Sequence, residues 1–151
     1  DLLASRIAED GHMLADRRII TDDVPKIVAQ LRAWIDDRNI DVVIATGGTG
    51  LTGRDSTPEA FAQIVEKDIP GFGELFRYLS FAKIGTSTVQ SRAQAGVAGG
   101  TYLFALPGSP SGCRDGWDDI LRYQLDIRHR PCNFVEIMPR LTESATVRRT
   151  G

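Results

Sequence analysis

Asp41-Val42-Val43-Ile44-Ala45-Thr46 runs directly into Gly47-Gly48-Thr49-Gly50-Leu51-Thr52-Gly53-Arg54-Asp55-Ser56. The first six residues form a β-branched, apolar run without polar alternation, the pattern of a strand buried on both faces of a sheet. The glycines that follow can expose successive N–H groups without Cβ interference, a geometry suited to phosphate. Thr57-Pro58-Glu59 then opens a helix with Phe61, Ile64 and Val65 on its apolar side.

The flanking sequence continues this alternation. Upstream, Val24, Ile27, Val28, Leu31, Trp34 and Ile35 recur at helical spacing, with Asp22 at the expected N-cap and Pro25 in the first turn. Leu2, Leu3, Arg6 and Ile7 read as the later part of a helix stopping at Gly11. With no cap ahead of it, the chain is expected to begin inside the fold. Downstream, Pro70-Gly71-Phe72-Gly73 starts a helix carrying Leu75, Phe76 and Leu79. Thr101 to Leu106 is a second apolar strand that empties into Pro107-Gly108-Ser109-Pro110. A final helix carries Trp117, Ile120, Leu121 and Leu125. Strands alternating with helices predict an α/β domain in three layers, a mostly parallel sheet flanked by helices. The domain is expected over 1–140, with a peripheral, polar stretch after Pro131 ending in a tail at 141–151.

Composition bounds the function. In 151 residues, 18 Lys and Arg against 20 Asp and Glu leave a net charge of −2, so the basic surplus of a non-specific nucleic-acid binder is absent. No apolar run approaches the roughly 18 residues of a membrane helix. Two cysteines, Cys113 and Cys132, make no disulfide framework in a chain of this length, which points to a reducing cytoplasm. They lack metal-ligand spacing, and His12 and His129 are isolated, so structural and surface roles are expected for all four. The 15 glycines are in excess, and they gather in the loops.

Ligands of open parallel sheets bind at the carboxyl ends of the strands, so the loops at Gly47–Gly50 and Pro107–Pro110 are expected to meet at one site. Gly48, Gly50 and Gly53 fit the spacing G-x-G-x-x-G only weakly, because the next helix does not begin within the motif. No Gly-Lys-Ser/Thr follows, which excludes a P-loop. Asp55, inside the loop, would be repelled by a polyphosphate unless a divalent cation lay between them, which suggests Mg²⁺; equally, it pairs with Arg54 or caps a turn. Asp22 reads first as a helix cap. Ser109 either contacts a ligand or caps the last helix. Ser91 and Arg92 could bind an anion, or Arg92 could form an exposed ion pair. From the residues alone, the function is nucleotide or phosphoester binding, with Mg²⁺ an open question.

Taken together and in order, Thr46-Gly47-Gly48-Thr49-Gly50, Thr52-Gly53-Arg54-Asp55-Ser56-Thr57-Pro58-Glu59, Pro70-Gly71-Phe72-Gly73-Glu74, Ser91-Arg92-Ala93 and Leu106-Pro107-Gly108-Ser109-Pro110 resemble the signature of the MoaB/Mog family of molybdenum-cofactor biosynthesis. Phe76 to Phe81, Ile84 to Thr88 and Arg130-Pro131-Cys132-Asn133-Phe134 are similar to the bacterial MoaB branch. The resemblance implies a molybdopterin-binding fold whose first strand precedes the chain. It implies molybdopterin adenylyltransferase activity with ATP and Mg²⁺; a non-catalytic molybdopterin carrier or scaffold is the alternative. Asp22 and Asp55 fall on the family's acidic catalytic positions, with Asp55 the expected Mg²⁺ ligand. Gly47, Gly48, Thr49 and Gly50 would hold nucleotide and pterin phosphates, with Ser91 and Arg92 nearby. Pro107, Gly108, Ser109 and Pro110 would lie against the pterin. The resemblance further implies a homotrimer or homohexamer, and contact with the pathway's metal-insertion enzyme.

Overall fold

A computed structural model of the chain describes residues 1–143. Helices α1 (Leu2–Glu9) and α2 (Val24–Asp36) precede strand β1 (Val42–Thr46). Helix α3 (Thr57–Ile64), the short strand β2 (Lys67–Asp68) and helix α4 (Pro70–Ile84) follow. A 3₁₀ segment, Gly85–Gln90, leads into β3 (Gln94–Ala98) and β4 (Thr101–Leu106). Helix α5 (Pro110–Gly116) continues through a π turn (Trp117–Leu121) into α6 (Arg122–Gln124), and α7 (Phe134–Ile137) lies beyond. No helix among the described residues is long and apolar enough to cross a membrane.

The strands form one sheet in the order β1-β4-β3-β2. β1 and β4, the pair that carries the two glycine loops, are parallel, with Thr46 opposite Leu106. The other two pairings are antiparallel, so the sheet is mixed rather than mostly parallel. The cause is the two-residue turn between β3 and β4. Gly99 and Gly100 have φ of +57° and +84°, and positive φ at both positions is what a tight hairpin with native strand twist requires. β3 is not among the strands expected above, because Ala95, Gly96 and Ala98 supply no β-branched or aromatic signal.

β4 is buried along all six residues and forms the centre of the domain. Its side chains alternate between two cores, as a period of two dictates. Tyr102, Phe104 and Leu106 pack with Phe72 and Phe76 of α4 and with Trp117 and Leu121. Leu103 and Ala105 face the opposite side, against Val28 and Leu31 of α2 and Phe61 and Ile64 of α3. Each large apolar side chain buried this way contributes about 1.5–3 kcal/mol. Helices thus cover both faces, and the three-layer arrangement holds.

Three local expectations are corrected. β1 is not buried on both faces: only Val43 is fully buried and Thr46 is exposed. Its side away from β4 lines a groove of 1220 Å³. Asp23, with extended backbone angles (φ −138°, ψ 112°), occupies the N-cap position of α2 without a side-chain capping bond, which leaves Asp22 exposed and outside the helix. The stretch after Pro131 is not peripheral. The Phe134 ring lies 4.9 Å from that of Tyr102, whose hydroxyl donates to the Phe134 carbonyl at 2.7 Å, and Leu141 packs on the same core. The expected tail from 144 onward lies outside the described residues.

Candidate functional site

The parallel register of β1 and β4 delivers their following loops to the same edge of the sheet. The Gly47 N–H donates to the Leu106 carbonyl at 2.9 Å. A Cβ on Gly108 would stand only 3.2 Å from the Gly47 Cα, so the two loops lie backbone to backbone. The expected convergence of Gly47–Gly50 with Pro107–Pro110 is therefore present in the folded chain.

Every carbonyl of the glycine stretch is bonded to the scaffold. The Gly47 carbonyl accepts from Thr57 Oγ1 at 2.9 Å and the Gly48 carbonyl from the Thr57 N–H at 3.1 Å. The Thr49 carbonyl accepts from the Arg92 N–H at 2.9 Å and the Gly50 carbonyl from Arg92 Nε at 2.8 Å. A trans peptide points its N–H opposite to the preceding C=O. The N–H groups of Gly48, Thr49 and Leu51 therefore each point away from the partner of the preceding carbonyl, while the Gly50 N–H is directed at the Asp55 carboxylate. Backbone N–H groups gathered in one loop can hold an anion. Positive φ at Gly47 (+90°) and Gly48 (+68°) turns the chain into this path.

Asp55 sits at the end of the run. Its Oδ2 accepts from the Thr52 N–H at 2.9 Å and the Thr52 hydroxyl at 2.8 Å. The Thr52 hydroxyl holds the carboxyl below the usual carboxylate range. The Thr52 and Gly50 N–H groups and the nearby positive charge of Arg92 add to this, outweighing partial burial. Asp55 is therefore ionised and caps the turn through Thr52. Among the described residues, no group of three His, Cys, Asp or Glu side chains could hold a metal unaided. One ionised carboxylate beside a glycine loop nonetheless suits Mg²⁺ where phosphate is also present, since that ion takes one or two carboxylates and fills its shell from phosphate oxygens and water.

The remaining residues take distinct places. Asp22 lines the groove beside β1 together with Gly47, Gly48 and Thr57; Asp55, Ser91, Arg92 and Ser109 are not among its walls. Ser91 receives the Ala93 N–H on its hydroxyl at 3.3 Å. The Ser109 hydroxyl accepts from the Gly112 N–H at 3.1 Å and caps α5, which begins at Pro110. The Pro107 carbonyl accepts from the Cys113 thiol at 3.3 Å, and burial pushes that thiol's pKa up. Arg92 forms the expected ion pair, with Glu59. It bonds Glu59 through both terminal nitrogens, with one contact at 3.2 Å. The Glu59 hydrogen bond raises the guanidinium's pKa and lowers that of the carboxyl.

Thr57 and Glu59 were not singled out from sequence, though a signal existed. The first residues of a helix carry N–H groups without intrahelical partners, so a Thr directly before Pro at a helix start has donors to offer the preceding loop.

The chain is similar to known proteins over most of its length. The family described as "Probable molybdopterin binding domain" matches residues 1–127. Molybdenum cofactor biosynthesis protein B of Escherichia coli K12 is 52% identical over 126 residues, covering 83% of this chain and 74% of that protein. A crystal structure of molybdenum cofactor biosynthesis protein B superposes with a TM-score of 0.83 at 34% identity, over 95% of this chain and 84% of the other. The tungsten cofactor synthesizing protein MoaB from Pyrococcus furiosus superposes at 0.76 with 30% identity, over 94% and 83%. With the domain match spanning most of its length, the chain belongs to the MoaB/Mog family of molybdenum-cofactor biosynthesis proteins.

Proposed function

We propose that this chain acts as a molybdopterin adenylyltransferase, joining the terminal phosphate of molybdopterin to the α-phosphorus of ATP. The observation that carries the reading is the Gly47–Gly50 backbone. Its four carbonyls are held by Thr57 and Arg92, which turns the N–H groups of Gly48, Thr49 and Leu51 away from those partners. In this reading those N–H groups receive the phosphates. A P–O bond forms between the pterin phosphate and the α-phosphorus as the bond to pyrophosphate breaks. The attacking phosphate is already ionised, so no general base is needed. The chain's work is positioning and stabilising charge on the equatorial oxygens.

The other residues take supporting roles. Asp55 holds Mg²⁺, which when bound neutralises charge on the phosphate oxygens. Asp22, at the groove shared with Gly47 and Gly48, is the second acidic residue of the site. Ser91 lies beside the phosphate loop, and Pro107, Gly108, Ser109 and Pro110 form the wall for the pterin. The enzyme works in the cytoplasm and passes its product to the metal-insertion enzyme of the pathway. The exposed apolar side chains of α4, Leu75, Tyr78, Phe81 and Ile84, support assembly into a trimer or hexamer.

A second reading, a molybdopterin carrier without catalysis, is favoured by the engagement of Asp55 with Thr52. Pyrophosphate release from molybdopterin, ATP and Mg²⁺ decides between them. Turnover supports the transferase; pterin binding without turnover, under conditions where an active relative works, supports the carrier.

A further inference from the structure

Arg92 makes four side-chain hydrogen bonds. Nε donates to the Gly50 carbonyl at 2.8 Å, Nη2 to the Asp55 carbonyl at 3.1 Å and to Glu59 Oε1 at 3.2 Å, and Nη1 to Glu59 Oε2. A guanidinium has five N–H donors, so the fork that would grip a phosphate is already occupied. With its main-chain N–H on the Thr49 carbonyl at 2.9 Å, Arg92 holds the loop at residues 49, 50 and 55. Its own backbone is held in turn. Arg77 of α4 donates from Nη1 to the Ser91 and Ala93 carbonyls, at 3.3 and 2.8 Å, on either side of Arg92.

We propose that Arg92 is a positioning residue with no direct contact to ligand: braced by Glu59, it draws the Gly50 and Asp55 carbonyls inward and so sets which loop N–H groups face an incoming phosphate. Arg92 and Gly50 are 42 residues apart in sequence, and the clamp ties the phosphate loop to the segment before β3. Glu59 acts only through Arg92. The assignment rests on the reading that Gly47–Gly50 receives nucleotide phosphate.

The sign of one substitution separates this role from simple electrostatics. Glu59 puts a negative charge near the anion site, so a purely Coulombic effect predicts that Glu59→Gln binds phosphate more tightly. A clamp predicts the reverse, because the guanidinium loses its brace and the loop carbonyls are freed.

The experiment measures amide hydrogen exchange of residues 47–55 without ligand, and ATP affinity with Mg²⁺ by calorimetry. The proteins are wild type, Glu59→Gln, Glu59→Asp, Arg92→Lys and the double variant Glu59→Gln/Arg92→Lys. Glu59 is half exposed, so its variants are expected to keep the fold. In Glu59→Gln, loop exchange should quicken and ATP affinity should fall, each roughly tenfold. Glu59→Asp, which keeps the carboxylate, should recover most of both. The double variant should be no weaker than the worse single one, because both substitutions break one interaction. Loop exchange unchanged in Glu59→Gln, or ATP bound as tightly as or more tightly than by wild type, overturns the proposal. Absence of ATP binding by the wild-type protein defeats the nucleotide reading instead, and the exchange measurement then decides the clamp by itself.

Discussion

A Cβ on Gly48 would stand 2.5 Å from Oγ1 of Thr57, the hydroxyl that donates to the Gly47 carbonyl. With φ at +68°, Gly48 is also in a conformation that side-chain-bearing residues rarely adopt. Gly48→Ala therefore meets both a contact and a torsional penalty. It should destabilise the domain by about 1–3 kcal/mol in urea unfolding. ATP affinity should fall with it; affinity equal to wild type would remove the loop from the phosphate site.

Thr57 tests the same contact from the other side. Thr57→Val keeps the shape of this buried side chain but leaves the Gly47 carbonyl without its donor, at a cost of about 1–3 kcal/mol. Thr57→Ser retains the hydroxyl and should fall much closer to wild type. Equal stability of the two variants in urea titration would show that the bond contributes nothing.

Asp55 predicts a pH dependence. Its folded pKa is depressed, so its contribution is complete above the ordinary carboxylate value of about 3.9 and is lost as pH falls through the lower folded value. Exchange protection of residues 50–55 should hold from neutrality to about pH 4 and decline below it. Asp55→Asn should abolish that acid limb. In the transferase reading, Asp55→Ala abolishes pyrophosphate release while circular dichroism remains native. Loss of the fold in this variant would assign Asp55 to structure instead.

Tyr102 adds a contribution at the alkaline end. Burial pushes its phenol up to about 12, so the neutral form is the folded one. A raised folded pKa gives stability that is complete below the unfolded value of about 10 and lost as pH rises through the folded one. Absorbance titration at the tyrosinate band should show a late component that Tyr102→Phe removes. A titration of the Phe variant superimposable on wild type, after correction for one tyrosine, would contradict this burial. The same contact lets Phe134→Ala be costed: losing a half-buried ring against Tyr102 and Phe104 should cost roughly 2–3 kcal/mol.

Helix α4 carries Leu75, Tyr78, Phe81 and Ile84, each between 42% and 76% exposed. Leu75, Tyr78 and Phe81, spaced at i, i+3 and i+6, form an exposed apolar strip larger than scattered exposure explains. Light scattering should report a trimer or hexamer, and Tyr78→Glu with Phe81→Glu should reduce it to monomer. A wild-type protein that runs as a monomer at assay concentration defeats the oligomer reading.

What the sequence determined by itself was local. β4 was legible because a continuous apolar run reports burial, β1 because β-branched residues favour strands, and the loops because glycine clusters mark places where backbone, not side chain, faces outward. α2, α3 and α4 were legible from spacing and from prolines in first turns. Even the meeting of Gly47 with Gly108 followed from two strands ending in loops, since parallel strands place their carboxyl ends on one edge. The tertiary structure decided what depends on distant partners. β3 is a strand because the Gly99–Gly100 turn folds it against β4, although its own residues are weak strand formers. β1 is half-buried because only β4 pairs with it among the described residues. The segment after Pro131 joins the core because Tyr102, 32 residues before Phe134, holds its carbonyl. Arg92 is the clearest case. Its charge was plain in the sequence, but whether a guanidinium grips a ligand or a loop depends on which acceptors the fold brings within hydrogen-bond reach. Here those are Gly50, Asp55 and Glu59.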